Sequence, residues 1–538
     1  MRRIVTYIVL IMFAIHSQAA VWQWSVEVDS FISTETNSHP RAFLWIPEDC
    51  KQVKAIVFGQ HNMCEETIFE HPTFRKTMSE LGFAIVWVTP GFEQKWDVAN
   101  GCQRHFDTMI SDLADISGYS ELKYAPIVPL GHSAMATFPW NFAAWNPERT
   151  LAIISYHGDA PRTNLTGYGR ENIEWGRTRN IDGIPGLMIE GEYEWWEARV
   201  NPALAFRMMY PESCVSFLCD AGHGHFDVSD EVVAYISEFL RKSAQYRLPD
   251  NMSLNKLTEL TKLDVQKGWL AERWHPNQKN RSRTAPFADY MGDKHDAFWY
   301  FDKDMAELTE AYYSRENNKQ SQFIGFYQDG QKMKYHAEAH GKYRVRLETL
   351  GSDLKFNIAT QYTDTLREKT TNKHSKEKIR IYPLCGPVKQ IDDSTFTIRF
   401  YHMGLDNKRR TSSIWLIAQG NGDDVYKTSV QEISIDFSYP QTEGKQQQIR
   451  FSAIPNVREG IQSIPLKGKS DKGLPVYYYV KEGPVRVDGN NLIFTPIPPR
   501  SKYPVKVTVV AWQYGQTKGD KIQSAEPIER TFYIERLR

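Results

Sequence analysis

The sequence predicts an α/β fold, a mostly parallel sheet with helices on both faces, followed by C-terminal antiparallel β-sandwich domains. Between residues 53 and 247, short apolar runs alternate with amphipathic stretches, which is the pattern of buried parallel strands joined by helices. Beyond residue 336, apolar and polar residues alternate with period two, and turns rich in Asp, Asn and Gly separate the runs. The 538 residues are too many for one hydrophobic core, so several domains are expected.

The α/β domain is expected to occupy residues 20–247. Two alternating strands begin it, and a closing amphipathic helix, SDEVVAYISEFLRKS, ends it with Val232, Ile236 and Phe239 on one face. Between them come the short apolar runs that predict buried strands: VKAIVFGQ (53–60), FAIVWVTP (83–90), APIVPLG (125–131), LAIISYHG (151–158), PGLMIEGE (185–192) and CVSFLCD (214–220).

Three further regions are expected after the α/β domain. Residues 248–335 are polar with aromatic clusters, and they predict a partly helical connecting region packed on the first domain. Residues 336–451 predict an antiparallel β domain, and residues 452–538 predict a C-terminal immunoglobulin-like β-sandwich domain.

The chain begins with the pattern of a secretory signal peptide over residues 1–19. Arg2 and Arg3 precede a short apolar run, and Ser17 and Ala19 have the spacing that a signal peptidase requires, so cleavage is expected after Ala19. The apolar run is short for a membrane span, and a periplasmic or secreted protein without a membrane span after cleavage is expected.

The composition narrows the choice of partners and cofactors. Formal net charge is zero and no basic cluster stands out, so a nucleic-acid partner is not expected. The six cysteines lack a zinc-type spacing, and no metal or cofactor is expected. Cys64 and Cys102 lie in two predicted loops and are a candidate disulfide pair, whereas Cys214 and Cys219 lie too far apart on one extended strand.

The segment IVPLGHSAMA places Ser133 at a sharp turn between a buried strand and a helix. A serine there is either a helix N-cap or a nucleophile. Gly131 supplies the small residue that a nucleophile elbow needs, and the N–H of Ala134 would face an oxyanion above the serine. The segment VFGQHNM ends an earlier strand, and Gln60 or Met63 would donate the second N–H.

Acidic and histidine candidates follow in the chain order of a serine triad on this topology. Glu192 and Glu194 come after GLMIEG, and His223 and His225 lie in AGHGHFD after the next strand. Parallel strands end at one edge of the sheet, so these groups should meet near Ser133. Glu194 and His225 are favoured. Glu192, His223 and a solvated acidic run remain alternatives.

With these residues the sequence resembles the α/β-hydrolase family over about residues 40–245. GHSAMA, FGQHNM, GHFDVSDE and the tail GLPVYYYVKEGP are similar to exported Bacteroidetes-type esterases of plant-polysaccharide degradation, including pectin-acting ones. The resemblance implies that Ser133 is the nucleophile, His225 the base and Glu194 the acid. It also implies an ester substituent of a plant cell-wall polysaccharide or oligosaccharide as the substrate. A serine peptidase and a non-catalytic glycan-binding protein are the alternative functions.

Several residues are candidates for shaping or binding around the serine. His61 and His132 flank it and are expected to act through hydrogen bonds. An arginine would clamp the carboxylate of an acidic sugar, and aromatic rings would stack on sugar faces. The candidates for these roles are Arg104, Arg162, Arg170, Arg177, Arg179, Tyr168, Trp175 and Trp195.

Overall fold

The structure is a computed structural model that describes residues 22–163, 172–194, 196–278, 280–347, 350–411 and 413–537. The expected signal peptide, with its cleavage after Ala19, lies outside the described residues. No helix in the described ranges has the length and apolarity to cross a membrane.

An eight-stranded sheet forms the first half of the chain, in the order β1-β2-β4-β3-β5-β6-β7-β8. β2 runs antiparallel to both β1 and β4, and all later neighbours pair in parallel. The predicted fold class is therefore confirmed. The strands are β1 (Trp24–Glu27), β2 (Arg41–Trp45), β3 (Ala55–Gln60), β4 (Phe83–Thr89), β5 (Ile127–His132), β6 (Ile153–Tyr156), β7 (Pro185–Gly191) and β8 (Cys214–Asp220).

Helices cover both faces of this sheet because β3 to β8 are apolar on both sides. One hydrophobic cluster joins one face to α1, α2 and α6, and a second joins the other face to α3. The helices of this half are α1 (Cys64–Glu70), α2 (Pro72–Leu81), α3 (Cys102–Ser117), α4 (Phe138–Trp145), α5 (Trp196–Met209) and α6 (Asp230–Arg247).

The expected disulfide between Cys64 and Cys102 is not formed. All six cysteines are free thiols. Cys64 belongs to the cluster on one face of the sheet and Cys102 to the cluster on the other, so the sheet separates them.

The segment after α6 packs on the same face as α1, α2 and α6. Leu270, Trp274, Phe298 and Tyr313 are buried in the cluster that also holds the apolar residues of α6. A small antiparallel sheet and one helix build this segment: β9 (Trp269–Glu272), β10 (Ala285–Pro286), β11 (Ala297–Tyr300) and α7 (Lys303–Ser314).

Strands dominate the chain beyond residue 320. β12 pairs with β16, so strand pairing crosses the predicted boundary at residue 335. The elements are β12 (Phe323–Gln328), β13 (Gln331–Lys332), β14 (Arg344–Arg346), β15 (Lys355–Asn357), β16 (Ala359–Thr363), β17 (Arg380–Cys385), β18 (Val388–Gln390), β19 (Thr395–Ile398), α8 (His402–Leu405), β20 (Ile414–Gly420) and β21 (Ser429–Asp436).

The last part of the chain consists of a four-stranded and a three-stranded sheet, together with a two-stranded ribbon, around their own apolar cluster. Trp512 and Tyr479 pack instead into the cluster of the preceding β region. The strands are β22 (Ile449–Phe451), β23 (Val457–Arg458), β24 (Ser463–Pro465), β25 (Gly468–Ser470), β26 (Tyr477–Glu482), β27 (Val485–Asp488), β28 (Asn491–Phe494), β29 (Val505–Trp512) and β30 (Ile528–Glu535).

Candidate active site

Ser133 sits on a strained turn between β5 and the helical segment that follows. Its φ is +55°, a left-handed conformation that is uncommon for a residue other than glycine. The 3-10 turn Ser133–Met135 then closes with a hydrogen bond from Ala136 N to Ser133 O of 2.9 Å. This conformation places the serine side chain at the carboxyl end of the sheet, pointing away from the strand, as a nucleophile elbow requires.

Gly131 makes that turn possible because the chain folds back onto it. A Cβ at this position would lie 2.0 Å from the carbonyl oxygen of Met135. Any larger residue would therefore push the turn away from the strand.

Ser133, His225 and Glu194 form one chain of hydrogen bonds. His225 Nε2 lies 2.7 Å from Ser133 Oγ, and His225 Nδ1 bonds to Glu194 Oε2. Glu194 follows β7, and His225 follows β8. The three strand ends thus deliver the three groups to one place, and only 6% of Ser133 and 9% of His225 is exposed.

Glu194 is held ionised and in one orientation. Its Oε1 accepts a hydrogen bond of 2.6 Å from Gly191 N, and Arg199 Nη1 donates to its Oε2 over 3.3 Å. Burial alone would raise the pKa of Glu194, but His225, His157 and Arg199 hold that pKa well below its usual range. The carboxylate can therefore accept a hydrogen bond from the Nδ1–H group of His225 and remain deprotonated.

Arg199, which the sequence analysis missed, gathers three buried acids behind the histidine. Its Nη1 lies 3.2 Å from Glu190 Oε2, and its Nε lies 3.6 Å from Asp159 Oδ1. Burial raises the pKa of Glu190 well above the ordinary value and that of Asp159 to about 6. The Arg199 guanidinium acts against burial and lowers the pKa of both carboxyl groups.

Two further imidazoles fix the backbone of His225. His157 Nδ1 lies 2.8 Å and His132 Nε2 3.0 Å from the His225 carbonyl oxygen, so each donates a hydrogen bond to it. His132 Nδ1 in turn lies 3.2 Å from Asn62 Nδ2. Burial lowers the pKa of His132 and of His157, so both rings are neutral. His132 thus contacts the site through hydrogen bonds, to His225 and to Asn62.

Glu65, at the start of α1, holds the elbow from below and was also missed. Its carboxylate accepts hydrogen bonds from the backbone N–H groups of His132 (2.8 Å), Asn62 (3.0 Å) and Met63 (2.9 Å). Burial raises the pKa of Glu65 to about 7, although these hydrogen bonds act to lower it.

The three residues expected to supply oxyanion donors have different hydrogen-bond surroundings. Ala134 follows Ser133 in the first turn of a helical segment, where N–H groups lack an acceptor within the helix. The expectation for Met63 does not hold in this conformation, because its N–H donates to Glu65. Gln60 is the buried last residue of β3, and its side-chain oxygen accepts from the N–H groups of Phe92 and Glu93, at 2.9 Å each.

The two alternative triad members have other partners. His223 Nδ1 lies 3.2 Å from Asp227 Oδ1 and 3.7 Å from Asp220 Oδ2. Glu192 Oε1 lies 2.5 Å from Lys427 Nζ, and its Oε2 accepts from Gly222 N over 2.9 Å. Neither His223 nor Glu192 is in the hydrogen-bond chain of Ser133.

Solved structures match this chain, but no family model and no curated protein does. An S-formylglutathione hydrolase from Staphylococcus aureus is 11% identical with a TM-score of 0.28, and the alignment covers 42% of this chain and 97% of that one. An esterase from Pyrobaculum calidifontis is 14% identical with a TM-score of 0.31, covering 42% and 87%. Est1E from Butyrivibrio proteoclasticus is 16% identical with a TM-score of 0.28, covering 41% and 99%.

Most of the expected substrate-binding residues are placed elsewhere or lie outside the described ranges. His61 is buried against the edge of Trp87, and burial lowers its pKa. Arg104 is an exposed residue of α3. Trp175 is fully buried, and its Nε1 donates to Asn141 Oδ1 over 2.7 Å, so it cannot stack on a sugar. The candidates outside the described residues are Tyr168, Arg170 and Trp195.

Within the described ranges, three groups of His, Asp and Glu side chains have the spacing of possible metal ligands. One consists of His157, Glu194 and His225, whose atoms are engaged in the hydrogen bonds above. The other two are Asp220, His223 and Asp227, and Glu272, His275 and Asp296. In both, a ring nitrogen lies close to an aspartate oxygen of the same group, at 3.2 Å for His223 and 2.7 Å for His275.

Proposed function

We propose that this protein is a secreted serine hydrolase that cleaves carboxylic esters on a plant cell-wall polysaccharide, with pectin as the first candidate. The hydrogen-bond chain from Ser133 through His225 to Glu194 carries the proposal. A serine that served only as a helix N-cap would not need a strained turn. It would also not need to lie 2.7 Å from a histidine whose other nitrogen bonds to a buried carboxylate.

The chemistry follows from this chain. Ser133 Oγ attacks the ester carbonyl carbon while His225 Nε2 takes the hydroxyl proton, and Glu194 stabilises the imidazolium that forms. The oxyanion of the tetrahedral intermediate is stabilised by the Ala134 N–H. His225 then gives the proton to the departing alcohol, and an acyl group remains on Ser133 Oγ. Water, deprotonated by His225, releases the acid and restores the serine.

Replacing Ser133 by Ala tests the reaction. Hydrolysis of 4-nitrophenyl acetate should fall by a factor on the order of 10⁶, while the melting temperature stays close to that of the unchanged protein. Ser253→Ala, in a turn distant in sequence from the site, is the matched control. An undiminished rate in a folded Ser133→Ala protein would remove the serine mechanism.

The sugar and its substituent are the finer part of the proposal, and they rest on the family resemblance. Arg179 packs over Trp145 at the C-terminal end of α4, away from Ser133, but Arg162 follows the carboxyl end of β6, the strand that pairs with the one leading to Ser133. A guanidinium there is suited to grip a uronate beside the ester. The value of kcat/KM should be higher for esterified galacturonan fragments than for matched xylan fragments, and added salt should reduce the difference. Equal values would leave an esterase without a pectin preference.

A further inference from the structure

The two loops that carry Glu194 and His225 are gripped from outside the α/β sheet. The acid loop, residues 191–194, follows β7, and the histidine loop, residues 221–228, follows β8. Both loops contact the chain between residues 316 and 428, which comprises the turn after α7 and the β region that follows. This relationship is independent of the hydrogen bonds within the triad.

A buried ion pair is the centre of this contact. Lys427 Nζ lies 2.5 Å from Glu192 Oε1, and the two side chains are 4% and 5% exposed. The other oxygen of Glu192 accepts from Gly222 N over 2.9 Å. Glu192 therefore joins the acid loop, two residues before Glu194, to the histidine loop, three residues before His225, and both to Lys427.

Lys427 is itself held firmly. Its N–H donates to Gln320 O over 2.8 Å, and its carbonyl oxygen accepts from Gln322 Nε2 over 2.7 Å. The next residue, Thr428, donates its N–H and its hydroxyl to the carboxylate of Glu316 over 2.8 and 2.9 Å. The anchor for Glu192 is thus a fixed point and not a mobile surface lysine.

The backbone of the histidine loop touches the same place. Gly222 has a φ of +85°, and a Cβ there would lie 2.5 Å from the carbonyl oxygen of Thr428. On the other side of His225, the ring of Phe226 packs against Trp415 at 5.1 Å and against His340 at 5.5 Å between centroids. Contacts on both sides of His225 therefore come from the β region.

A hydroxyl contact completes the grip on the acid loop. Tyr193 Oη lies 2.8 Å from Ser321 Oγ, directly between Glu192 and Glu194 in sequence. These contacts add to those from the α/β domain, in which His132 and His157 bind the His225 carbonyl oxygen and Arg199 binds Glu194.

We infer that Lys427 is a positioning residue for the Ser133–His225–Glu194 chain, and that the β region is an integral part of the active site. The inference rests on the proposed function. Lys427 acts through Glu192: it fixes the loop that carries Glu194 relative to the loop that carries His225. Misalignment of a reacting group by about 1 Å costs on the order of 100-fold in rate, so loss of the anchor should act on kcat.

The experiment is a double-mutant cycle of Lys427→Met and Glu192→Gln in the full chain, with 4-nitrophenyl acetate as substrate. Lys427→Met should lower kcat about tenfold to a hundredfold and change KM by less than about twofold. In the Glu192→Gln background it should lower kcat by less than about threefold, because the buried carboxylate is no longer left unpaired. If Lys427 affected kcat independently of Glu192, the losses in kcat from the two single substitutions would multiply in the double variant.

Lys378→Met is the matched control, since Lys378 lies in the same region, is 76% exposed and pairs with Asp393. It should leave kcat unchanged. A folded Lys427→Met protein with the kcat of the unchanged protein, or a cycle with multiplicative effects, would overturn the inference. If Lys427→Met does not fold, Lys427→Gln replaces it in the cycle with the same criterion, because Gln also removes the charge that pairs with Glu192.

Failure of the proposed function is visible separately. The phosphonylation rate of Ser133 by a fluorophosphonate probe is measured for every variant, with Ser133→Ala as the blank. If the unchanged protein neither reacts at Ser133 nor hydrolyses the ester, the proposed function is wrong. If it does both and Lys427→Met does so equally fast, only the positioning role is wrong.

Discussion

His225 Nε2 lies 2.7 Å from Ser133 Oγ, although 92 residues separate the two in sequence. The contact arises because β5 and β8 are parallel members of one sheet and end at the same edge. The second nitrogen of the same ring meets Glu194, which follows β7, one of the two strands between them. The direction of proton movement in the proposed reaction is set by this order of contacts.

Glu194→Gln should reduce kcat by about 10³- to 10⁴-fold with little change in KM, because a neutral amide cannot stabilise the His225 imidazolium. Glu192→Gln should cost about tenfold or less, since Glu192 touches the triad only through its loop. Steady-state kinetics of both folded variants check the ranking. The reverse ranking would assign the triad acid to Glu192.

Glu65→Gln should weaken the elbow. A Gln side chain has one carbonyl oxygen for the three N–H groups that Glu65 satisfies, so at least one buried N–H loses its partner. The expected loss is about 1–3 kcal/mol in unfolding free energy and at least about tenfold in kcat. Glu80→Gln, on α2 with a 43% exposed side chain, is the control. Equal stability of both variants in urea would contradict the role given to Glu65.

Gly131→Ala should not fold at 37 °C or should fold without activity, because its methyl group would lie 2.0 Å from Met135 O. Gly224→Ala meets open space and has an ordinary φ, so its melting temperature should stay close to that of the unchanged protein. Soluble yield and thermal unfolding measure both. A stable, active Gly131→Ala protein would mean that the turn is looser than described.

Stability should fall as the pH rises above neutrality because of His223. Burial would lower the pKa of His223, but the carboxylates of Asp220 and Asp227 raise it to about 10. A group with a raised folded pKa stabilises fully below its unfolded pKa, near 6.5, and loses that contribution as the pH rises through 10. Tyr312, which donates to Asp220, and Glu316 also face this cluster.

His223→Asn should therefore have a lower melting temperature than the unchanged protein at pH 7 and a flatter decline between pH 7 and pH 10. Differential scanning calorimetry across that range gives both slopes. Parallel slopes would show that His223 is not the group that titrates.

The strand ends around Ser133 could be predicted because they depend on local patterns. Apolar runs mark the strands, and Ser133, Glu194 and His225 follow their ends at short distances in sequence. Glu65 and Arg199 could not be predicted in the same way. Charged residues usually lie at the surface, and burial of these two depends on partners contributed by other strands and loops.

Contacts between residues that are far apart in sequence could not be predicted. Lys427 and Glu192 are 235 residues apart, and no local pattern joins them. The expectation that Trp175 would stack on sugars was wrong because a loop position says little about burial. Trp175 contacts α4, and its indole N–H donates a hydrogen bond to the buried Oδ1 of Asn141 in that helix.

The shared core of the sheet and the segment after α6 bears on how the chain can be divided or recombined. Tyr235, Ile236 and Phe239 of α6 share a dry cluster with Phe298, Trp299 and Tyr313. A fragment ending at Arg247 would expose the apolar surface of α6 to water, and this exposed surface would promote self-association. Exchange of the first half between related proteins should therefore carry residues up to about 314, and heating should melt both pieces in a single cooperative transition.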